Sequence, residues 1–467
     1  MPSPKTQPAR GMRDFLPADV RKREYVINAI KQVYERYGFE PLETPAVENI
    51  ETLMGKYGEE GNQLIFKILK RGEHEKTGEA DLALRYDLTV PLARVVAQYQ
   101  NELPKFFKRY QIQPVWRADR PARGRFREFY QCDVDVLGSR SMIVEAELIA
   151  AANDALIALG FDDFTIRVNH RQVLTGILDQ AGVETEKHGD ALVALDKMDK
   201  AGPEAVAREL KERGIVDESA VKLMRFFEGL AGAQHALSLV DLGDANARAA
   251  YNADVLGRLV EFVGAHEIGA SGIDDLRQIL QFAKSSGVDQ RIKLDPTLAR
   301  GLAYYTGAII EINVADLSGS LGGGGRYDNL VGMFLGRDVP ACGFSLGLER
   351  IIVVMSEREM FPAALVTSPA DVMVTIWNEV SVAESIALAN ELRSKGLRVD
   401  IYPEADKVAK QFKYASAAAI PFVAIIGEDE RLKGEVAIKD MRSGEQRNVS
   451  RAEAANIVRA GLAPAHS

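Results

Sequence analysis

Five arginines crowd one short stretch: Arg117, Arg120, Arg123, Arg125 and Arg127 all fall between Tyr110 and Gly138. Pro121 and Gly124 lie among them and both are turn residues, so the stretch reads as a strand, a charged loop and a strand. The span is too short for a solvated helix face. Guanidinium groups gathered on one hairpin bind anions, and Arg in particular meets phosphate oxygens bidentately. On the returning strand, period-two alternation places Phe129, Gln131, Asp133 and Asp135 on one face and Tyr130, Cys132, Val134 and Val136 on the other. An edge hairpin with one wet face is common in antiparallel sheets. The neighbouring arginines favour another reading, in which the polar face is a floor for a zwitterionic small molecule lying beside a phosphate chain. Carboxylates and amides there accept from amines and ring N–H groups.

Two more stretches carry polar groups at strand ends. The strand Leu82 to Leu88 finishes with Asp87 and Thr89 on one face, before a helix from about Pro91. On the residues alone they cap that helix, with Thr89 as N-cap and Pro91 near the first turn. Gly319-Ser-Leu-Gly-Gly-Gly-Gly-Arg-Tyr-Asp328 contains four successive glycines. Such a run is costly to order and implies close backbone approach to a ligand or a neighbouring strand. No Lys-Ser/Thr follows, so it is not a P-loop. Arg350 opens an otherwise apolar helix after Ala341-Cys-Gly-Phe-Ser-Leu-Gly347. A buried guanidinium needs a carboxylate or a ligand, and Glu349 and Glu311 are the protein partners to expect.

Other chemistries find no support. The six histidines are scattered without metal-ligand spacing, and Cys132 and Cys342 are too few for a zinc site or a disulfide framework. No metal-ligating residues are expected. A net charge of −9 gives no bulk attraction to nucleic acid, so a nucleic-acid partner has to meet local basic patches. No apolar run approaches the roughly twenty residues of a membrane span, and the N-terminal residues lack an apolar signal region; no membrane contact and a cytoplasmic location are the expectation.

The elements that position these residues divide the 467-residue chain into about three domains. Residues 1–165 carry the first part of a sheet domain, opening with a helix on Val26, Ile30, Val33 and Tyr37 for which Asp19 is the expected N-cap. Residues 166–290 change to a helical period and read as an insertion, and residues 291–355 return to the sheet pattern. After a linker at 356–370, residues 371–467 alternate strand and helix, which predicts a small, mostly parallel α/β domain. Its strands are expected at Val372–Trp377, Arg398–Tyr402, Phe422–Ile426 and Glu435–Lys439, with helices Val382–Lys395 and Asp406–Ala419. Lys407, Lys410 and Lys413 share one face of the second helix, either solvated or basic toward a partner.

Arg123-Gly-Arg-Phe-Arg-Glu-Phe-Tyr-Gln-Cys-Asp133 resembles motif two of the class II aminoacyl-tRNA synthetases and is similar to their histidine-specific family. Phe39-Glu-Pro-Leu-Glu-Thr-Pro45 resembles motif one, Ala341 to Arg350 motif three. Arg300 with Tyr304-Tyr305, and Gly324-Gly-Arg-Tyr-Asp328, resemble the two histidine-specific motifs. The likeness covers nearly the whole chain in the expected order. It implies a class II antiparallel sheet catalytic domain, interrupted by a helical insertion that either approaches the tRNA acceptor arm, as similar insertions in the family do, or is a spacer, and a C-terminal anticodon-binding domain. The implied reaction is ATP-dependent ligation of L-histidine to its tRNA through histidyl adenylate, by a homodimer joined through motif one, with Mg²⁺ on the triphosphate. Arg117 on the α-phosphate and Arg300 bridging carboxylate and phosphate are the implied catalytic residues. Arg125 and Arg350 hold the β- and γ-phosphates with Asp119 nearby, and Phe129 with Arg350 sandwiches adenine. Asp87, Thr89 and Gln131 take the ammonium, while Asp135 and Tyr305, the latter paired with Tyr304, read the imidazole nitrogens.

One residue departs from the family pattern. Ala303 stands where an acidic side chain is usual, which removes a possible orienting partner near Arg300. The rival reading is a non-catalytic, histidine-binding paralogue similar to the regulatory subunit of ATP phosphoribosyltransferase. Such paralogues lose the C-terminal domain and the catalytic arginine, both present here. A class II synthetase for another amino acid fits Gln131, Asp135 and Tyr305 less well than one for an imidazole.

Overall fold

The computed structural model describes residues 6–72, 76–238, 245–299, 304–362, 365 and 368–462. The chain divides into two compact units, one ending at Met360 and one beginning at Phe361. Arg300 and Ala303 lie outside the described residues.

Sixteen strands are numbered along the described chain: β1 (Glu40–Pro41), β2 (Val47–Asn49), β3 (Lys67–Leu69), β4 (Ala80–Leu84), β5 (Phe107–Trp116), β6 (Glu128–Leu137), β7 (Thr165–His170), β8 (Ile292–Leu294), β9 (Ala308–Asn313), β10 (Ser320–Arg326), β11 (Ala341–Gly347), β12 (Val372–Val374), β13 (Val399–Ile401), β14 (Phe422–Ile425), β15 (Glu435–Asp440) and β16 (Gln446–Ser450). The first unit is built on an eight-stranded sheet in the order β1-β5-β6-β11-β10-β9-β7-β8. Its inner pairs are antiparallel, and only the edge pairs β1–β5 and β7–β8 run parallel. Antiparallel strands can leave one face unburied by helices, and here that face becomes the floor of a cavity. The other face is covered by helices Pro17–Arg36, Ile143–Ala158 and Leu348–Glu357, which contribute Val26, Ile30, Leu148 and Ile351 to the core.

Local sequence accounts for most boundaries. Leu16 is the N-cap of the first helix and Pro17 occupies its first turn, so the expected cap, Asp19, instead supplies negative charge to that turn. The helical stretch begins at Arg171, because Thr165–His170 is an inner strand paired to β9. It runs through helices to Ser285, and β8 then closes the sheet edge beside β7. The helix Leu348–Glu357 extends across the first residues of the expected linker.

The glycine run is strand β10, wedged between β9 and β11. At Gly324 a Cβ would collide with the Gly343 carbonyl oxygen and come within 2.6 Å of Phe344 Cα, so the neighbouring strand explains that glycine. At Gly322 the obstruction is the Ser345 carbonyl and the Phe344 ring, and at Gly325 it is the Ala308 carbonyl and the Tyr305 ring. Gly323 differs: a Cβ there would meet only the Ile310 carbonyl oxygen, at 3.4 Å. Three of these glycines let strands and side chains close on one another, and the fourth opens into the cavity.

The second unit has the sheet order β13-β12-β14-β15-β16. The first three strands are parallel, as the alternating pattern predicts, and β15 and β16 add an antiparallel hairpin. Helices Val382–Ser394, Val408–Ala417 and Arg451–Leu462 accompany it. The strand β16 and the last helix are absent from the sequence reading because Gln446–Ser450 is polar and mostly exposed. Lys410 pairs with Asp406 at 2.9 Å, and Lys407 and Lys413 are exposed.

Forced into the β10–β11 seam, a methyl group has no space. Gly324→Ala is expected to lower stability by about 3 kcal/mol or more, and Gly323→Ala by well under about 1 kcal/mol, read from urea midpoints of the two variants.

Candidate active site

A cavity of about 670 Å³ lies over the floor of the large sheet, walled by the β5–β6 loop, the segment Asp87–Thr89, Tyr304–Tyr305 and the first turn of the helix Leu348–Glu357. Strand pairing lines up its floor. Asp133 on β6 stands opposite Ser345 on β11, which stands opposite Gly323 on β10, which stands opposite Glu311 on β9. One step along, Asp135 is opposite Gly343, and Gly343 is opposite Gly325. The alternation expected for Phe129, Gln131, Asp133 and Asp135 is therefore present, and all four line the cavity.

The arginines separate into two groups. Arg117, Arg123 and Arg125 line the cavity, whereas Arg120 and Arg127 do not. Arg117 donates from Nε to the Tyr86 carbonyl at 3.0 Å, and its guanidinium lies over the rings of Tyr86, at 4.3 Å, and Phe129, at 5.1 Å. Among the described residues it forms no ion pair, so its charge is held in place and left facing the cavity. Arg125 pairs with Asp119 at 2.7 Å, and Arg127 donates to the Asp119 carbonyl. Arg123 turns outward to Glu357 and the Asp316 carbonyl.

Arg350 does not pair with Glu349, contrary to the expectation from burial. Glu349 accepts instead from Arg23 Nη1 and from the Tyr130 backbone N–H, each at 2.9 Å, because its side chain points to the core side of the sheet. Arg350 donates to the Ser320 carbonyl at 2.6 Å and reaches the Gly124 carbonyl. Gly124, at φ +67°, and Gly319 both lie against it: a Cβ at either would come within 3.3 Å of its side chain. Glu311 is 3.7 Å from Arg167. The guanidinium of Arg350 thus rests on main-chain oxygens between the motif-two loop and the start of β10.

At one end of the floor, Asp87 is almost wholly buried. It accepts from Tyr57 Oη at 3.0 Å, Tyr304 Oη at 3.2 Å and the Val90 N–H at 3.1 Å. Asp87, and not Thr89, is thus the side chain that caps the helix Thr89–Gln98, whose first residue is Thr89 itself. Thr89 faces the cavity beside Asp87. Burial pushes the Asp87 carboxyl up, against the opposing pull of the Val90 N–H, Arg117 and the two phenols. Gln131 donates to Ser345 Oγ at 3.1 Å and to Asp133 Oδ1 at 3.3 Å, while its Oε1 has no protein partner among the described residues.

At the far end, Asp135 lies across Gly343, where any Cβ would collide with it, and Tyr305 lies across Gly325. Tyr305 meets Tyr304 edge to face at 5.3 Å. Asp135 accepts from Tyr327 Oη and pairs with Arg109 Nη2 at 2.8 Å. Burial raises the Asp135 carboxyl and the Tyr305 phenol. Asp133 is pushed up to about 7, by burial first, with Arg109 pulling it down and Asp135 pushing it further up.

Arg109, Tyr327 and Tyr57 are site residues that the sequence reading missed, and Asp133 had a place on the floor but no role. Arg109 had a signal: Arg109, Gln111 and Gln113 alternate along β5 as the acids do along β6, and β5 pairs with β6 residue for residue. Tyr327 lies in the Gly324–Asp328 run already singled out, but its partner was not legible, since only the fold brings it from the end of β10 to Asp135.

Comparison with known proteins agrees with this geometry. Residues 11–351 match the family model described as histidyl-tRNA synthetase, and residues 371–461 match the anticodon binding domain model. Curated histidine–tRNA ligases are similar over nearly the whole length. The one from Cytophaga hutchinsonii is 41% identical, covering 94% of this chain and 96% of its own. That of Porphyromonas gingivalis is 42% identical, covering 97% and 98%. The crystal structure of histidyl-tRNA synthetase from Nostoc sp. PCC 7120 superposes with a TM-score of 0.79 at 32% identity, covering 98% of this chain and all of its own. A Bacillus halodurans structure titled as an ATP phosphoribosyltransferase regulatory subunit/histidyl-tRNA synthetase shares the fold at 21% identity and TM-score 0.68. With both the catalytic and the anticodon-binding models matched and full-length relatives above 40% identity, the chain belongs to the histidyl-tRNA synthetase family, a class II aminoacyl-tRNA ligase fold.

Proposed function

We propose that this cavity activates L-histidine with ATP and passes it to the tRNA specific for histidine. The observation that carries the reading is Arg117, a guanidinium clamped by Tyr86 and Phe129 and turned into a cavity whose opposite end is lined by acids. Adenylation sets a carboxylate against an α-phosphate, two anions that repel. The protein's contribution is to neutralise both and hold them in line, and preorganised cations do this without any proton transfer.

In this reading Arg117 binds the α-phosphate and Arg300 bridges it to the substrate carboxylate. Arg125 and Arg350 hold the β- and γ-phosphates, with Asp119 orienting Arg125, and adenine lies between Phe129 and Arg350. Asp87, Thr89 and Gln131 take the ammonium, Gln131 through the buried Oε1 that lacks a partner. Asp135 and Tyr305, adjacent over Gly343 and Gly325, read the ring nitrogens, and Tyr304 braces Asp87. Mg²⁺ fits as an ion carried in on the triphosphate: the described residues contain no cluster of three or more His, Cys, Asp or Glu suited to a metal, and Mg²⁺ characteristically keeps water and phosphate ligands with one or two carboxylates. Asp119 and Glu311 are the cavity carboxylates placed to contribute. When bound, the ion neutralises triphosphate charge.

The helical stretch from Arg171 to Ser285 serves as the insertion that approaches the acceptor arm, and the unit from 371 binds the anticodon stem and loop. Homodimerisation through the Phe39–Pro45 segment and a cytoplasmic location complete the proposal. No described helix is long and apolar enough to cross a membrane. The regulatory-paralogue reading is the weaker one, since the anticodon binding domain is matched and Arg117 is in place.

Histidine-dependent ATP–pyrophosphate exchange tests the assignment. Arg117→Ala and Arg300→Ala are each expected to lower kcat by roughly 10²–10³-fold, as loss of one preorganised donor does, with a smaller change in histidine KM. Exchange that continued at the wild-type rate in either variant would remove that arginine from the mechanism. Tyr305→Phe is expected to weaken histidine in kcat/KM by about 10-fold or more, the loss of one hydrogen bond to a substrate N–H, while leaving ATP KM unchanged. A change confined to ATP KM would place Tyr305 elsewhere.

A further inference from the structure

Of the carboxylates that line the cavity, Asp87, Asp133 and Asp135 differ in how they are partnered. Asp87 is taken up by two phenols and a backbone N–H; Asp135 accepts from Tyr327 through Oδ1 and has Arg109 2.8 Å from Oδ2 as an ion pair, without a hydrogen bond to that oxygen. Asp133 stands between them with weaker partners: Gln131 Nε2 at 3.3 Å, the Ser345 hydroxyl, and Arg109 at 3.9 Å. Two carboxylates are in register with Gly323, the one glycine of β10 whose missing side chain leaves open space: Glu311 directly on β9, 3.7 Å from Arg167, and Asp133 on the other side through Ser345. A molecule lying across Gly323 and Ser345 extends toward Asp133, which lines the same cavity.

Charge balance makes this position consequential. Arg109 is fully buried and is the cation within ion-pair distance of both Asp133 and Asp135. One guanidinium cannot neutralise two buried carboxylates, and like charges this close suppress each other's ionisation. The groups whose charge acts on Asp133 come from every side: Arg109 on β5, Asp135 on β6, and Asp87 beside the helix Thr89–Gln98. Tyr305, Tyr34 and Arg85 lie within its field as well, and Ser345 bonds it from β11. Among these, the arginines alone are cationic.

We infer that Asp133 is a substrate-binding residue, whose carboxyl holds a proton in the empty site and releases it to solvent when the ammonium group of histidine arrives as the missing counter-charge. The inference rests on the histidine-activation reading and adds to it: selectivity for a protonated α-amine is shared between Asp87 and Asp133, and binding is linked to proton release near neutral pH.

Calorimetry in two buffers of different ionisation enthalpy, at pH 7, reads the proton directly. The ligands are histidinol, which keeps ammonium and imidazole, and imidazolepropionate, which lacks the ammonium. Wild type is expected to release a proton fraction with histidinol that it does not release with imidazolepropionate. Asp133→Asn is expected to abolish that difference and to raise the histidinol Kd by about 10-fold or more, the worth of one charge-assisted contact, with imidazolepropionate unchanged. Equal proton release for the two ligands in wild type overturns the proposal without any variant. So does a Kd loss in Asp133→Asn that is the same for both ligands, which marks a structural role. Absence of histidine-dependent pyrophosphate exchange in wild type would instead overturn the activation reading itself, so the two failures are told apart.

Discussion

The ion pair between Arg109 and Asp135 is the contact on which this cavity depends. Both side chains are buried at the centre of the large sheet, where an unpaired charge would be prohibitively costly. Pairing makes the burial tolerable, and Tyr327 supplies Asp135 with a further hydrogen bond. With Arg109 fixed beneath, the floor can carry carboxylates in a place where a core would normally be apolar. Removing either partner would leave the other charge stranded, so the site and the fold cannot be altered separately at this point.

Glycine provides the second condition. A floor made of strands with ordinary side chains would be filled, and no small molecule could reach its main chain. Gly343 gives way to Asp135, Gly325 to Tyr305, and Gly323 to open space. The substrate-sized volume is therefore a consequence of three absent side chains on two adjacent strands. The same absence lets β10 and β11 approach so closely at Gly324 that the seam tolerates no methyl group.

Around that floor, cations and acids are kept at opposite ends. The arginines that face the cavity are held by ring faces, carbonyl oxygens or a carboxylate, which restrain their position. The acids are held by phenols and by Arg109. A zwitterion with its carboxylate toward the arginines and its ammonium toward the acids is the small molecule this polarity orients, and a triphosphate extends naturally from the cationic end.

The sequence by itself determined the local facts: a hairpin with a cationic loop, the alternating floor of β6, a helical interval between two sheet segments, and a parallel α/β unit at the end. These are legible because periodicity and turn residues act over a few positions. The order of long motifs was legible for the same reason, each being contiguous in the chain. Partnerships between distant residues were decided only by the tertiary structure. Glu349 belongs to Arg23 and not to Arg350, and Tyr327 belongs to Asp135, because each choice follows from which elements pack against which. The charge count around Asp133 is of the same kind: composition lists the acids and arginines, and only pairing of β5 with β6 puts two carboxylates on one guanidinium.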